Sequence, residues 1–128
     1  LPVYYLFPNI IFIPTLEGGF LVKEYPAENS PHKSFSKISF YFYPHILEHI
    51  KELEKSGING KELLEEQYKG FASVIRDEDY LVAASSHRGL MTGSLDYLTF
   101  GKNEPALHHY HNTYREALGL QSLPLEDA

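Results

Sequence analysis

The sequence contains no cysteine among its 128 residues, and this absence excludes several kinds of site. The chain cannot form a disulfide, a thiolate zinc site or a cysteine nucleophile, and it cannot itself hold an iron–sulfur cluster. Long apolar runs are absent too. The longest, from Leu1 to Pro14, is broken by Pro8 and Asn9 and is too short to cross a bilayer. It also lacks the basic leader and cleavage site of a secretion signal, so we expect a cytoplasmic protein with no membrane partner.

Basic clusters are missing as well. The 17 acidic residues outnumber the 11 basic ones, the formal net charge is −6, and no block of Lys and Arg occurs, so we expect no nucleic-acid partner. Hydrophobic content of 43% and charged content of 22% are those of ordinary folded proteins, which predicts one modest domain over residues 1–128. The chain begins at Leu1 within an apolar pattern, and we therefore expect a fragment of a longer protein.

The first third of the sequence predicts strands. Its opening segment is rich in β-branched and aromatic side chains, with an interruption at Pro8. Further on, Ile38, Phe40 and Phe42 alternate with polar residues, a pattern typical of a strand with one face on a core. We predict strands at 3–13, 20–25 and 35–43, with a polar, proline-bounded loop at 26–33.

Helices are predicted in the remainder. Pro44 is suited to the first turn of a helix that Gly57 ends, and Asn59 is a candidate N-cap for a second, longer helix. The residues 103–105 (Asn-Glu-Pro) combine a candidate capping side chain, Asn103, with an acid and a proline, and they predict the start of a last helix, which Gly119 closes. Strands followed by helices predict an α+β fold, an antiparallel sheet of about three strands under helical cover.

Two carboxylates fall on the apolar side of the second helix. At 100° per residue with Phe71 at zero, Glu78 falls at about −20° and Asp79 at about 80°, on or beside the face that carries the apolar residues. Burying an ionised carboxylate is unfavourable unless a cation, a metal or good donors lie beside it. The alternatives are a slightly rotated face, one carboxylate of a metal site, or neutralisation by a nearby cation, for which the candidates are Arg76, Arg88 and Lys69.

The histidines offer a second set of candidates. His45 and His49 are four residues apart on a predicted helix, a spacing that can ligate a metal, but no third ligand is evident and a solvated helix face is the favoured interpretation. His111 lies on the apolar stripe of the last helix and is expected to be packed in the core. His108 and His109 are expected to face solvent.

Three segments carry a resemblance to a known family: LFPNIIFI at 6–13, IRDEDYLVAASSHRGLMTG at 75–93 and FGKNEPALHHYHNTYREAL at 100–118. They resemble the alpha subunits of Rieske-type aromatic-ring-hydroxylating oxygenases. Between them, VKEYPAENSPHKSFSKISFYF at 22–42 resembles the family's strand, proline loop and returning strand. The likeness covers nearly the whole chain and keeps the family's order.

The resemblance implies a partial helix-grip (SRPBCC-like) domain, with an antiparallel sheet packed on a long C-terminal helix. It implies a mononuclear non-haem Fe(II) held by two histidines and one carboxylate, and Asp79 matches the carboxylate of the family's acidic pair. Such iron inserts oxygen from dioxygen into an aromatic or similar apolar substrate. Electrons come from NAD(P)H through a reductase or ferredoxin and a Rieske [2Fe–2S] cluster, and the subunits form homo-oligomers, commonly trimers.

The sequence departs from the family in two respects. It has no cysteine for the Rieske cluster, and the family's upstream Asp-x-x-His-x4-His pattern does not occur. We therefore expect residues 1–128 to be the C-terminal portion of the catalytic domain, with the Rieske domain and the histidine ligands elsewhere, and to be inactive alone. The first alternative is a non-catalytic helix-grip module that binds a small apolar ligand; Asp79 paired to an Arg in a metal-free full-length protein favours it. The second is a purely oligomeric or scaffold role.

Overall fold

The computed structural model of the chain describes residues 2–124. Residue contacts divide the chain into two compact units, Leu1–Ser86 and His87–Ala128. In chain order the elements are β1 (Tyr4–Leu6), β2 (Ile10–Pro14), β3 (Gly18–Ala27), β4 (Ser30–Phe42), α1 (Pro44–Lys55), α2 (Gly60–Val74), a π-helical segment (Ile75–Asp79), α3 (Tyr80–Met91) and α4 (Pro105–Ala117). This composition confirms the predicted α+β class.

The first unit contains an antiparallel sheet of strand order β1-β2-β3-β4, one strand more than predicted. The interruption at Pro8 is confirmed, because residues on either side of it form a hairpin in which Leu6 lies opposite Ile10. The peptide bond between Phe7 and Pro8 is cis. A meander of this kind needs only short connections between neighbouring strands.

The connection between β3 and β4 is shorter than predicted. The sequence pattern indicated a loop over 26–33, whereas the strands extend to Ala27 and from Ser30. Glu28 and Asn29 form the turn with φ values of 54° and 50°, the left-handed conformation that two-residue hairpin turns require. A register shift just before Ala27 lets the nearby prolines lie within strands, as bulges do.

One face of the sheet is apolar and lies under the helices. Phe20 and Val22 are each only 3% exposed, and the ring of Phe40, opposite Phe20 on β4, stacks on it at a centroid distance of 4.2 Å. Phe71 of α2 stacks on the other side of Phe20 at 3.5 Å. The predicted alternation in β4 is confirmed, since Phe40 and its even-numbered neighbours are less exposed than Tyr41.

Both ends of α1 and the start of α2 lie where the sequence predicts them. Pro44 occupies the first turn of α1. Gly57 ends the helix with φ 85°, and the following N–H of Ile58 donates to the carbonyl of Leu53 at 3.1 Å, a C-terminal motif that favours glycine. Asn59 is the N-cap of α2, and its side-chain oxygen accepts from the N–H of Glu62 at 3.2 Å. These predictions are confirmed.

The second helix is not regular throughout, contrary to the prediction. The N–H of Tyr80 donates to the carbonyl of Ile75, five residues earlier, where an α-helix uses four. A π segment of this kind adds one residue to a turn and rotates all that follows. The helical run therefore consists of α2, the π segment and α3.

The second unit contains α4, which begins at Pro105 as predicted. Asn103 does not cap the helix; the N-cap is Glu104, and its carboxylate accepts from the N–H of Gly101 at 2.7 Å. Gly119 ends the helix with φ 69°. Over residues 2–124 no helix combines the length and the apolar character needed to cross a membrane.

Candidate functional site

A stripe of side chains joins the helical run to the sheet. Leu64 and Tyr68 line a space against β4, Phe71 stacks on Phe20, and Ile75 is 8% exposed. These positions repeat at intervals of three or four residues, as an α-helix requires. The next residue that contacts the sheet is Tyr80, because the π segment makes this last interval five residues long.

The inward orientation predicted for Asp79 and Glu78 is wrong. Both residues are exposed. The prediction assumed that the sheet covers the helical run as far as position 79, whereas Ile75 is the last buried residue of that run and residues 76–91 are all exposed. Asp79 lies at the end of the π segment, beyond the buried part of the run.

Tyr80 enters a polar cluster on the helix-facing side of the sheet. Its hydroxyl donates to one carboxylate oxygen of Glu24 on β3 at 2.9 Å and contacts the hydroxyl of Ser36 on β4. Ser36 donates to the other carboxylate oxygen of Glu24 at 2.5 Å. Glu24 and Ser36 lie opposite each other in the register. We name Glu24, Ser36 and Tyr80 the tyrosine cluster.

The pKa of Tyr80 is raised above its ordinary value of 10.0. Partial burial is the largest cause, because it disfavours the phenolate. The hydrogen bond with Ser36 acts in the opposite direction, and the interactions with Glu24 and the negative charge of Asp79 raise the pKa further. The carboxylate of Asp79 is therefore close enough to the tyrosine cluster to influence it.

The carboxylate of Asp79 forms no hydrogen bond or ion pair with any residue in 2–124. Two of the cations considered as its neutralising partners are engaged elsewhere. Arg76 donates to both carboxylate oxygens of Asp77, at 2.6 and 2.7 Å, and this pair lowers the pKa of Asp77. Lys69 lies 3.4 Å from the carboxylate of Glu65. Within residues 2–124, Asp79 has no arginine partner.

The residues of 2–124 do not make a complete metal site. No group of three His, Cys, Asp or Glu side chains among them is placed to hold a metal ion. An iron held by two histidines and a carboxylate needs three protein ligands at one point. Asp79 fits the chemistry of one of them, and no two histidines of the described residues join it in such a group.

The histidines take other positions. His45 and His49 are both exposed on α1. In the second unit, Phe100 stacks on His111 at 4.9 Å and meets His108 edge-on at 5.6 Å. His111 is half-buried, in keeping with its predicted packed position. His108 is half-buried too, contrary to the solvent-facing prediction, because Phe100 covers it.

An open apolar groove of about 590 Å³ lies between β4 and the first half of α2. Its floor is formed by Ile38, Phe40 and Phe42, and its helical wall includes Leu64 and Tyr68. The hydroxyl of Tyr68 donates to the carbonyl of Ile38 at 3.2 Å. The groove lies several turns before Asp79 along the helical run, so it is a separate feature of the first unit.

Sequence reasoning missed the tyrosine cluster. Glu24 and Ser36 lie in segments predicted as strands, and Tyr80 follows the acidic residues, but no local pattern joins them. They are 44 to 56 residues apart in sequence from Tyr80. The available signal was the pairing of two strands in register, which places Glu24 and Ser36 side by side on one face.

The family comparison covers both units. A family model described as ring hydroxylating alpha subunit (catalytic domain) matches residues 2–120 of the 128-residue chain. No match was found among curated proteins or among solved structures. The match spans the antiparallel sheet, the helical run with Asp79 and Tyr80, and α4. The resemblance in sequence is thereby confirmed, and the chain belongs to the ring-hydroxylating oxygenase alpha subunits, within their catalytic domain.

Proposed function

We propose that Asp79 supplies the carboxylate ligand of a mononuclear non-haem iron in a ring-hydroxylating oxygenase. The observation that carries the proposal is the family match over residues 2–120, together with the resemblance of the Glu78-Asp79 pair to the family's acidic pair; the Asp79 carboxylate is exposed and no residue in 2–124 neutralises it. An unpaired carboxylate beside a π segment is available to a cation, and π segments are frequent at functional sites. When bound, the iron supplies the activation of dioxygen for insertion into the substrate.

The remaining components belong outside residues 2–124 in this proposal. Two histidine ligands come from another part of the catalytic domain, and a Rieske [2Fe–2S] cluster comes from sequence that contains cysteines, since this chain has none. The substrate is an aromatic or similar apolar molecule, and a reductase or ferredoxin supplies electrons. We propose a cytoplasmic homo-oligomer, and that residues 1–128 are inactive by themselves because they contribute only one ligand.

The test is the iron content of the protein in its native assembly. We expect Asp79→Ala to remove the mononuclear iron while any Rieske absorption spectrum remains. Glu78→Ala is the matched control, because it deletes a neighbouring exposed carboxylate and should keep the iron. Retention of the mononuclear iron in Asp79→Ala contradicts the ligand assignment.

A second candidate function rests on the groove between β4 and α2. Its apolar floor and size of about 590 Å³ suit a small apolar ligand, as in a non-catalytic binding module. The two functions differ in their dependence on Asp79. An apolar ligand bound in the groove with equal affinity in the wild type and Asp79→Ala, in an assembly that contains no mononuclear iron, favours the binding module over the oxygenase.

A further inference from the structure

The groove between β4 and α2 is apolar in its depth and charged along its rim. Besides its apolar residues, the helical wall carries Lys61, Glu65 and Lys69. Lysine stems pack along apolar surface while their ammonium groups stay in water. The side chains of Lys61 and Lys69 are 80% and 71% exposed, so both ammonium groups lie where the groove meets solvent.

A polar hollow of about 350 Å³ adjoins the groove. Its lining consists of Asn59, Lys61, Glu62, Glu65 and Lys69, of which the two lysines and Glu65 also line the groove. A ligand that lies on the apolar floor can therefore place one end in the hollow. This combination suits a molecule with an apolar body and a single polar end.

The charges of the hollow favour an anion at that end. The ammonium groups of Lys61 and Lys69 lie 3.8 and 3.4 Å from the same Glu65 carboxylate, so two cations share one anion. The carboxylate of Glu62 accepts from the side-chain amide of Asn59 at 3.1 Å instead. Exposed ion pairs are weak, so an incoming carboxylate can share the ammonium groups with Glu65. The two glutamates repel each further negative charge, which favours a singly charged anion.

The groove is long enough for an extended chain. Lys61 and Lys69 are separated by about 12 Å along α2 at the rise of an α-helix. Along β4, Ile38 and Phe42 are separated by about 14 Å at the rise of a strand. An unbranched chain of medium length, such as that of decanoate, can therefore lie along the floor and reach the hollow with its end.

We propose that the groove and the adjoining hollow bind an amphipathic carboxylate. The apolar chain lies on Phe40 and Phe42, and the carboxylate lies beside Lys61 and Lys69. This proposal rests on the second candidate function, whose ligand it names by chemical class. It is separate from the iron proposal, because the groove lies several turns before Asp79.

Three probes test the charge of the ligand's end. Decanoate, decanol and decylamine share an apolar chain and differ in the charge that it carries, so their binding to the 128-residue chain is compared by titration calorimetry at neutral pH, below the concentrations at which they form micelles. We expect decanoate to bind about fivefold more tightly than decanol, a difference that exposed charge pairs can supply. Decylamine should bind most weakly, because the lysines repel it.

Exposed lysines allow the interaction to be removed without disturbing the core. Lys61→Gln/Lys69→Gln should reduce the affinity for decanoate to that for decanol and leave the affinity for decanol unchanged. Lys51→Gln is the matched control, because Lys51 is an exposed lysine of α1 outside the groove, and it should change neither affinity. Leu64→Gln makes the helical wall more polar and should weaken decanoate and decanol alike, which locates both ligands in the groove.

The outcomes separate this proposal from the others. Equal affinities for decanoate and decanol in the wild type overturn the carboxylate assignment and leave the apolar-ligand function standing. A loss of decanoate affinity in Lys51→Gln as large as that in Lys61→Gln/Lys69→Gln overturns the assignment too, since it shows a general effect of charge. Absence of binding by all three probes overturns both. Asp79→Ala should keep the wild-type affinity for decanoate, so the iron proposal is decided independently.

Discussion

The hydroxyl of Tyr80 donates to the carboxylate of Glu24 at 2.9 Å across 56 residues of sequence. This hydrogen bond connects the first residue after the π segment to a central strand of the sheet. It lies beside Asp79, whose charge contributes to the raised pKa of Tyr80. The bond thus couples the packing of the helical run to the surroundings of the candidate ligand, and its effects are testable on the isolated chain.

We expect Tyr80 to contribute to a loss of stability of the fold at alkaline pH. Its pKa is raised above 10.0 in the folded chain, so between the unfolded and folded pKa values the folded state binds more protons than the unfolded state. The stabilisation that Tyr80 contributes is fully present below the pKa that its hydroxyl has in the unfolded chain. It is lost as the pH rises through the pKa of the hydroxyl in the folded chain. We expect the urea midpoint to fall less steeply above pH 10 in Tyr80→Phe than in the wild type.

Tyr41→Phe is the matched control for that titration. Tyr41 is 62% exposed on the opposite face of β4, and its replacement should leave the steep alkaline decrease of the wild type in place. Identical pH dependence in the wild type and in Tyr80→Phe contradicts the prediction.

Phe20 is the side chain of the small core whose loss we expect to reduce the stability of the fold most. It is 3% exposed and lies between the rings of Phe40 and Phe71. Deleting a buried phenyl ring leaves a cavity, so we expect Phe20→Ala to lower the free energy of unfolding by about 3–5 kcal/mol. Urea denaturation followed by circular dichroism measures the loss. Tyr41 is an exposed aromatic residue on β4, so Tyr41→Ala should lower the free energy of unfolding far less. Similar decreases in both variants count against this assignment of the core.

Replacing Asn59 should weaken the start of its helix, whereas replacing Asn103 should not. Asn59 accepts from the N–H of Glu62 at the start of α2, so Asn59→Ala should destabilise that turn by about 1 kcal/mol. Amide hydrogen exchange at Glu62 reports the change locally. Asn103 makes no capping bond to α4, and Asn103→Ala should leave exchange in the first turn of α4 unaltered. Faster exchange there means that Asn103 caps the helix after all.

The isolated 128-residue chain should not bind iron tightly. Three protein ligands are needed for a facial site, and residues 2–124 bring no three candidate ligands together. Calorimetry with Co(II) as a stable substitute for Fe(II) should show no saturable binding at micromolar metal. Any weak binding should disappear in His45→Ala, which breaks the exposed pair with His49, and persist in Asp79→Ala. Tight binding that Asp79→Ala abolishes contradicts the proposal that the other ligands lie elsewhere.

Much of the fold was predictable because its signals are local. The interruption at Pro8, the Asn59 cap and the Gly57 and Gly119 helix ends all depend on residues within one turn or one strand end. The alternation around Phe40 predicted the buried face of β4 for the same reason. The loop at 26–33 was predicted too long, because strand pairing with β3 outweighed the proline-rich composition.

The sequence by itself determined the α+β class, the family and the identity of Asp79 as the candidate ligand. Only the tertiary structure decided where Asp79 lies. Helical periodicity shows which side chains share a face but not how far the sheet covers that face, and in the folded chain the cover ends after Ile75, since residues 76–91 are all exposed. Because the extent of the sheet beneath the helical run depends on strand pairing far away in sequence, no local pattern predicts it, and the exposure of the Asp79 carboxylate is a property of the folded chain.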